Sequence, residues 1–288
     1  MPASALALVL AAALFHAGWN ALTKRARDQL AFLWSSLSLA TVLLAPFGIA
    51  YLPDAGVPAA ALPYLVTTSV VHAAYFFALG KAYATGELSL VYPIARGLGV
   101  ALVPVGALLV LEERLSPLGA AGIALVVLGI VTITAGPAAA GGAARVRRHL
   151  GAGAGWALVT GVTIASYSLV DKAGVARLHP VPYLAVMGVA MSLLLAVPVL
   201  ARRGALRREW QLNWRTILIA STMNLTSYLL VLFAFTLSKA GYVVASREIS
   251  IVLSVLIGRL WLGERQLGRR LVGAAVVVVG VICVALAR

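Results

Sequence analysis

The runs VYPIARGLGVALVPVGALLVLEERL (Val91–Leu115) and YVVASREISIVLSVLIGRLWLGERQ (Tyr242–Gln266) decide the fold. They align without a gap at an offset of 151 residues, so that Arg96 meets Arg247, Glu113 meets Glu264 and Arg114 meets Arg265. The same register carries on to Gly122 with Gly273 and Gly129 with Gly280. Apolar stretches match by chance easily; paired Arg, Glu-Arg and Gly at one offset do so far less often. Both runs are greasy enough for a lipid bilayer, yet Arg96, Arg247 and Glu248 lie inside them. A charge at membrane depth is costly and is kept where it is paired or faces a polar cavity. The two runs therefore predict a duplicated membrane protein with a polar path between its copies.

Composition agrees. The 288 residues are 62% hydrophobic and 11% charged, where a soluble domain has about 25% charged residues. The apolar spans are too long for barrel strands and do not alternate, so they read as helices. Ten spans are expected, at 3–22, 30–51, 62–82, 88–110, 117–136, 153–173, 181–200, 215–237, 241–262 and 268–287. Arg202–Trp210 reads as a loop, and the Gly- and Arg-rich segment 137–151 as a linker between repeats 1–136 and 152–288. The fold class is thus all-α, a polytopic membrane protein of two five-helix repeats. Five is odd, so the second repeat enters the membrane upside down relative to the first.

The net charge of +14 would suggest nucleic acid in a soluble protein. Here the basic residues cluster in short loops between spans, so no nucleic-acid partner is expected and the lipid bilayer takes that place. The loops that carry Lys24, Arg25, Arg27, Arg145–Arg148, Arg202–Arg208 and Arg265–Arg270 fall on one side, which predicts a cytoplasmic position for them and periplasmic termini. Basic residues follow the first span and none precedes it, the reverse of a cleaved signal peptide, so that helix is expected to be retained. The one cysteine, Cys283, excludes a disulfide framework, and no metal-ligand spacing is present. No cofactor is expected, and no Walker A motif points to ATP drive.

Residues three or four apart share a helix face. By that spacing His16, Trp19 and Asn20 group on the first helix, His72 and Tyr75 on the third, and Tyr92 and Arg96 on the fourth. Thr160, Thr163, Tyr167 and Asp171 form a stripe on the sixth, Asn224 and Tyr228 pair on the eighth, and Arg247 starts a stripe on the ninth. Polar stripes face away from lipid. His16, Trp19, Asn20, His72, Tyr75, Tyr92, Arg96, Tyr167, Asn224, Tyr228, Arg247 and Glu248 form the candidate substrate-binding set. Arg96 reads either as an anchor for an anionic substrate group or as the partner of a carboxylate. Glu248 reads as the one acidic residue clearly interior to a span. It is a candidate ammonium partner or titrating site, or else the buried partner of Arg96 or Arg247. Its counterpart in the repeat is Gly97, so it breaks the pseudosymmetry. Trp210, Trp214 and Trp261 near span ends read as interfacial anchors, and Glu113 and Glu264 as local caps. Glycines 119, 122 and 129, with 268, 273 and 280, predict close contacts of the fifth and tenth helices, with each other or across a dimer. The choice between monomer and homodimer stays open.

The motif HAGWNALTK in the first helix, GELSLVYPIARG opening the fourth and the Glu-Arg after the fourth and ninth resemble the EamA-type drug/metabolite transporters over essentially the whole chain. The resemblance implies a ten-helix carrier of the bacterial-type inner membrane, often an exporter of amino acids, aromatic ones included, or of other small metabolites. It implies a central cavity lined by the first, third, fourth, sixth, eighth and ninth helices. It also implies cytoplasmic termini, which the loop charges of this chain oppose. Small multidrug relatives place a carboxylate in the first helix; this chain has His16, Trp19 and Asn20 there. The expected function is secondary transport of a small-molecule substrate by alternating access. A multidrug or phosphorylated-metabolite carrier is the nearest alternative. An intramembrane enzyme is a distant one, since the chain shows no HExxH, His-Asp or paired-carboxylate motif.

Overall fold

The computed structural model describes residues 1–24, 26–85, 88–134, 152–253 and 268–287. These form helices α1 (Ala3–Lys24), α2 (Gln29–Ala50), α3 (Leu62–Thr85), α4 (Leu88–Val110) and α5 (Pro117–Thr134). After segment 135–151, outside the described residues, come α6 (Ala152–Gly174), α7 (Pro180–Leu200), α8 (Arg203–Leu237), α9 (Ala240–Arg247) and α10 (Gly268–Leu286). Six of the described helices are long and apolar enough to cross a membrane, and three shorter apolar ones lie at Ile94–Val110, Pro117–Ile133 and Leu271–Leu286. Large apolar side chains such as Ile49, Val66, Leu109 and Val197 stand exposed on the outside, whereas Ser36, Thr68, Asp171 and Ser246 are buried. A surface of that kind is stable in lipid and not in water. The chain is an integral membrane protein.

Local chemistry sets the helix ends. Asp28 caps α2 by accepting a hydrogen bond from the Ala31 amide at 3.0 Å. His179 accepts from the Val181 amide, and Pro180 supplies a first residue that needs no donor. Chain order also closes on itself. The Met1 ammonium donates to the Ala285 carbonyl at 3.3 Å, so both termini lie at one end of the bundle.

Two expected boundaries are corrected. Of the expected loop Arg202–Trp210, all but Arg202 is helical: α8 starts at Arg203 and bends at Asn213 (φ −127°, ψ 18°). The bend is held by side chains that the sequence pattern does not reveal. Asn213 Nδ2 donates to Glu209 Oε1 at 2.6 Å, and Glu209 Oε2 accepts from the Asp28 amide at 3.1 Å. Trp210 Nε1 donates to Ser35 Oγ at 2.9 Å, and Arg202 pairs with Asp28 at 2.6 Å. The basic segment is thereby tied to the start of α2. The ninth span is also not continuous. Its helix stops at Arg247, turns at Glu248 and resumes over 249–253. Residues 254–267 lie outside the described residues, and with them Ser254, Trp261 and Glu264.

The helices pack in a regular set of partners. α3 lies against α6 and α1 against α8; α2 lies against α7; α4 lies against α6 and α1 also touches α9; α5 and α10 make the most extensive pair. The α5–α10 contact depends on glycine. A Cβ on Gly122 would lie 2.7 Å from the Gly280 carbonyl oxygen, and one on Gly129 2.7 Å from that of Gly273. The reverse contacts are as tight, at 2.8 Å from Gly273 to the Gly129 oxygen and 2.7 Å from Gly280 to the Gly122 oxygen. The two helices are therefore antiparallel and nearly touch backbone to backbone. Gly122 and Gly129 thus face Gly280 and Gly273 within the chain, whereas Gly119 lies against Tyr242 of α9.

A paired substitution checks the contact. Gly122→Ala is expected to lower stability by about 1–3 kcal/mol, as overpacking against backbone does. Gly155→Ala is the control, because a Cβ there meets no heavy atom within 4 Å. That change should raise stability by up to about 1 kcal/mol through helix propensity. Thermal unfolding in detergent reads both, and equal shifts of one sign would contradict the packing argument.

Candidate functional site

The site begins with residues that cannot face lipid. His16 and Trp19 on α1 meet edge to face, with centroids 5.1 Å apart. On α3, His72 stacks on Tyr167 of α6 at 4.1 Å and meets Tyr228 of α8 at 5.4 Å. Tyr75 completes the group, 5.4 Å from Tyr167 and 5.2 Å from Phe76. These rings wall a cavity of about 700 Å³, its opening to solvent included.

Eight of the twelve expected site residues line this one cavity: His16, Trp19, His72, Tyr75, Tyr167, Asn224, Tyr228 and Arg247. The side that closes it is apolar and comes from Leu37, Thr41 and Leu44 of α2 with Leu184, Met187 and Met191 of α7. The resemblance did not include those two helices in the lining. Leucine and methionine carry no polar signal, so spacing alone could not single them out.

A second, smaller pocket continues past His16 and Tyr75, lined also by Asn20, Ala95, Arg96 and Thr160. Asn20 returns its amide to the His16 carbonyl at 2.8 Å. Among the described residues the fourth helix reaches this second pocket through Ala95 and Arg96. Arg96 is bound there in a two-pronged pair, Nε to Glu248 Oε2 at 3.0 Å and Nη2 to Oε1 at 2.6 Å. Both residues are buried. Glu248 is thus the partner of Arg96 and not of Arg247, and it does not line the main cavity. The helix break at Glu248 turns its carboxylate away from its neighbour Arg247, as the roughly 100° between successive helical residues anticipates. The Tyr92 side chain lies outside the described residues.

Arg247 differs from Arg96. It is buried on the cavity wall, and among the described residues no carboxylate pairs with it. Among the described residues its Nε has no hydrogen-bond partner, and neither have Trp19 Nε1 and His72 Nε2. All three atoms belong to residues of one cavity wall. Buried polar atoms are nearly always paired, so three such atoms around one space make it the candidate polar site of the bundle.

Reading the sequence alone also missed a carboxylate. Asp171 is fully buried. Its Oδ1 accepts from Thr68 Oγ1 at 2.5 Å and from Tyr183 at 2.9 Å, and its Oδ2 accepts from Tyr228. His72 Nε2 stands 4.0 Å from Oδ2. The signal was present in the Thr160–Tyr167–Asp171 stripe. It was masked because Asp171 falls at the end of its span beside Lys172, where charged residues are ordinarily solvated. Lys172 in fact leaves Asp171 and donates to the carbonyl of Ser238 at 2.9 Å, with Glu113 at 3.7 Å. Glu113 accepts from the Ala240 amide at 2.8 Å, so it caps α9 across the bundle rather than its own helix. Among the described residues no group of His, Cys, Asp and Glu has the makings of a metal site.

The likeness to known proteins agrees with this picture. One chain of known crystal structure superposes on this one with a TM-score of 0.73 at 16% identity, covering 99% of each chain, which shows a shared fold. A comparison with curated proteins gives no match. The model of the EamA-like transporter family matches residues 151–286. A mostly apolar bundle around an internal cavity is in keeping with that likeness, which covers the second half of the chain.

Proposed function

We propose that this transporter exports amino acids, aromatic ones included, or related small metabolites across a bacterial-type inner membrane, with its site in the main cavity. One observation carries the substrate class: Arg247 is a buried guanidinium on the cavity wall with no carboxylate partner among the described residues. A guanidinium presents a planar fork suited to a carboxylate, and a desolvated one needs an anion. The Trp19, Tyr75, Tyr167 and Tyr228 rings offer a flat surface for an aromatic or aliphatic body.

Alternating access would use two inverted repeats, 1–136 and 152–288. The partner pattern supports this. The α1–α8 and α3–α6 contacts correspond to each other under the repeat, while α2–α7 and α5–α10 are each a contact between equivalent helices. Gly122 meets Gly280 and Gly129 meets Gly273, the crossed pairing that a two-fold axis produces. The loop charges favour periplasmic termini.

A phosphorylated-metabolite carrier is a weaker reading, because a doubly charged phosphate calls for more than one cation and Arg96 is already engaged by Glu248. The test is counterflow in proteoliposomes with a panel of labelled probes: L-phenylalanine, L-leucine, glucose 6-phosphate and a cationic dye. Exchange of the amino acids alone is expected. Exchange confined to the phosphate or the dye would replace this reading by the corresponding carrier.

A further inference from the structure

We propose that Arg203, Arg207 and Arg208, in the part of α8 ahead of its bend, bind the phosphate headgroup of an anionic phospholipid at the surface of the bilayer. The site lies away from the main cavity and is independent of the solute carried.

The bend at Asn213 divides α8 into two lengths. Trp214 to Leu237 gives about 24 residues, or ~36 Å at 1.5 Å per residue, enough to cross a hydrocarbon core of ~30 Å. Arg203–Leu212 therefore lies outside that core, at the level of the headgroups. Two tryptophans mark the level. Trp210 and Trp214 are both exposed, and the Arg215 guanidinium sits 5.2 Å from the centre of the Trp214 ring. Tryptophan and arginine gather where membrane meets water.

The two faces of this segment differ. Glu209 is buried, and Ala205 and Leu206 are half-buried beside it. Arg203, Arg207 and Arg208 are exposed on the other side, Arg203 and Arg207 one turn apart. The two carboxylates at this end are already engaged. Asp28 caps α2 and pairs with Arg202 at 2.6 Å. Glu209 accepts from Asn213 Nδ2 at 2.6 Å and from the Asp28 amide at 3.1 Å. Among the described residues no carboxylate pairs with Arg203, Arg207 or Arg208. Exposed Arg27, next to Asp28, adds one more positive charge to the same end.

Like charges one turn apart repel, and an anion among them removes the cost. A phosphate diester supplies one negative charge and oxygens that accept the guanidinium fork two at a time. The acyl chains of the same molecule run along the outer surface of α8 past the bend, where Leu218 and Ile219 are exposed. A free phosphate has no such second contact, so the surface fits a lipid. The site also braces the cavity. Glu209 and Trp210 hold the segment to Asp28 and Ser35 of the α2 end, and Leu37, Thr41 and Leu44 of α2 line the cavity wall.

Native mass spectrometry of the full-length protein in a neutral detergent tests this. The probes are dioleoylphosphatidylglycerol and dioleoylphosphatidylcholine, which share acyl chains and differ in headgroup charge. The first phosphatidylglycerol is expected to bind at least about tenfold more tightly than the first phosphatidylcholine. Arg203→Gln, Arg207→Gln and Arg208→Gln combined are expected to remove that preference. Arg145→Gln, Arg147→Gln and Arg148→Gln combined take the same charge from segment 137–151 and are expected to keep it. Thermal unfolding without lipid checks that each variant is folded; the single variants Arg207→Gln and Arg208→Gln, each expected to lose part of the preference, carry the test if the triple one is not. No preference in the wild type overturns the proposal. Equal losses in the two triple variants also overturn it, since the preference would then follow net charge alone. Displacement of phosphatidylglycerol by an equal concentration of glycerol 3-phosphate would assign the arginines to a free phosphate and overturn the lipid site.

Discussion

Arg247→Ala is expected to abolish carboxylate binding in the cavity. The side chain is buried, lines the cavity and has no carboxylate partner among the described residues, so an incoming carboxylate would be its first full counter-ion. Truncating one member of a desolvated charge pair costs about 2–5 kcal/mol. At ~1.4 kcal/mol per tenfold, that is a loss of affinity of about 30-fold or more. Arg247→Lys keeps the charge and loses the planar fork, and is expected to retain part of the affinity. The change should leave folding intact, because no ion pair of Arg247 exists among the described residues. Calorimetric titration with L-phenylalanine reads the affinity, and thermal unfolding without ligand provides the folding control. Unchanged affinity in Arg247→Ala would move the anchor elsewhere in the cavity.

Glu248→Ala is expected to act in the opposite way, on stability before binding. The change leaves the Arg96 guanidinium buried without the carboxylate that takes two of its hydrogen bonds. Removing one partner of a buried ion pair costs about 3–5 kcal/mol, whereas replacing both by apolar residues is often neutral. Glu248→Ala is therefore expected to melt at a much lower temperature, and Arg96→Leu combined with Glu248→Leu to recover most of the loss. Measured melting curves of the single and double variants in detergent decide. A single variant as stable as the wild type would mean that the pair contributes little to the fold. The contrast between Arg247 and Arg96 is the useful outcome. The repeat makes them equivalents, but Arg96 is paired with Glu248 whereas Arg247 has no carboxylate partner among the described residues.

Most of the helical layout is legible in the order of residues. Each apolar run had to be a helix, because no other single segment satisfies its backbone in lipid. The structure places α1 to α7 and α10 close to their expected bounds. The exceptions are places where side chains from elsewhere decide. Arg202–Trp210 is polar and basic and looks like a loop; from Arg203 on it is helical because Glu209 and Trp210 find Asp28 and Ser35. Arg96, Arg247 and Glu248 stand out in an apolar chain and were found at once. Asp171 was passed over because a charged neighbour at a span end is the ordinary sign of solvent. Its burial comes from Thr68, Tyr183 and Tyr228 on three other helices.

By itself the sequence determined that this is a helical membrane protein with a duplicated run, because hydropathy over about 20 residues and a repeated register are local properties of the chain. It also singled out the charges that cannot face lipid, since the cost of a buried charge depends on the residue alone. Only the tertiary structure decided which arginine is neutralised, which glycine stripe faces which, and which carboxylate stands beside a histidine. Arg96 and Glu248 are 152 positions apart and Thr68 and Asp171 are 103 apart. Hydrogen bonds reach about 3 Å, so contacts between such distant positions exist only once the helices have packed.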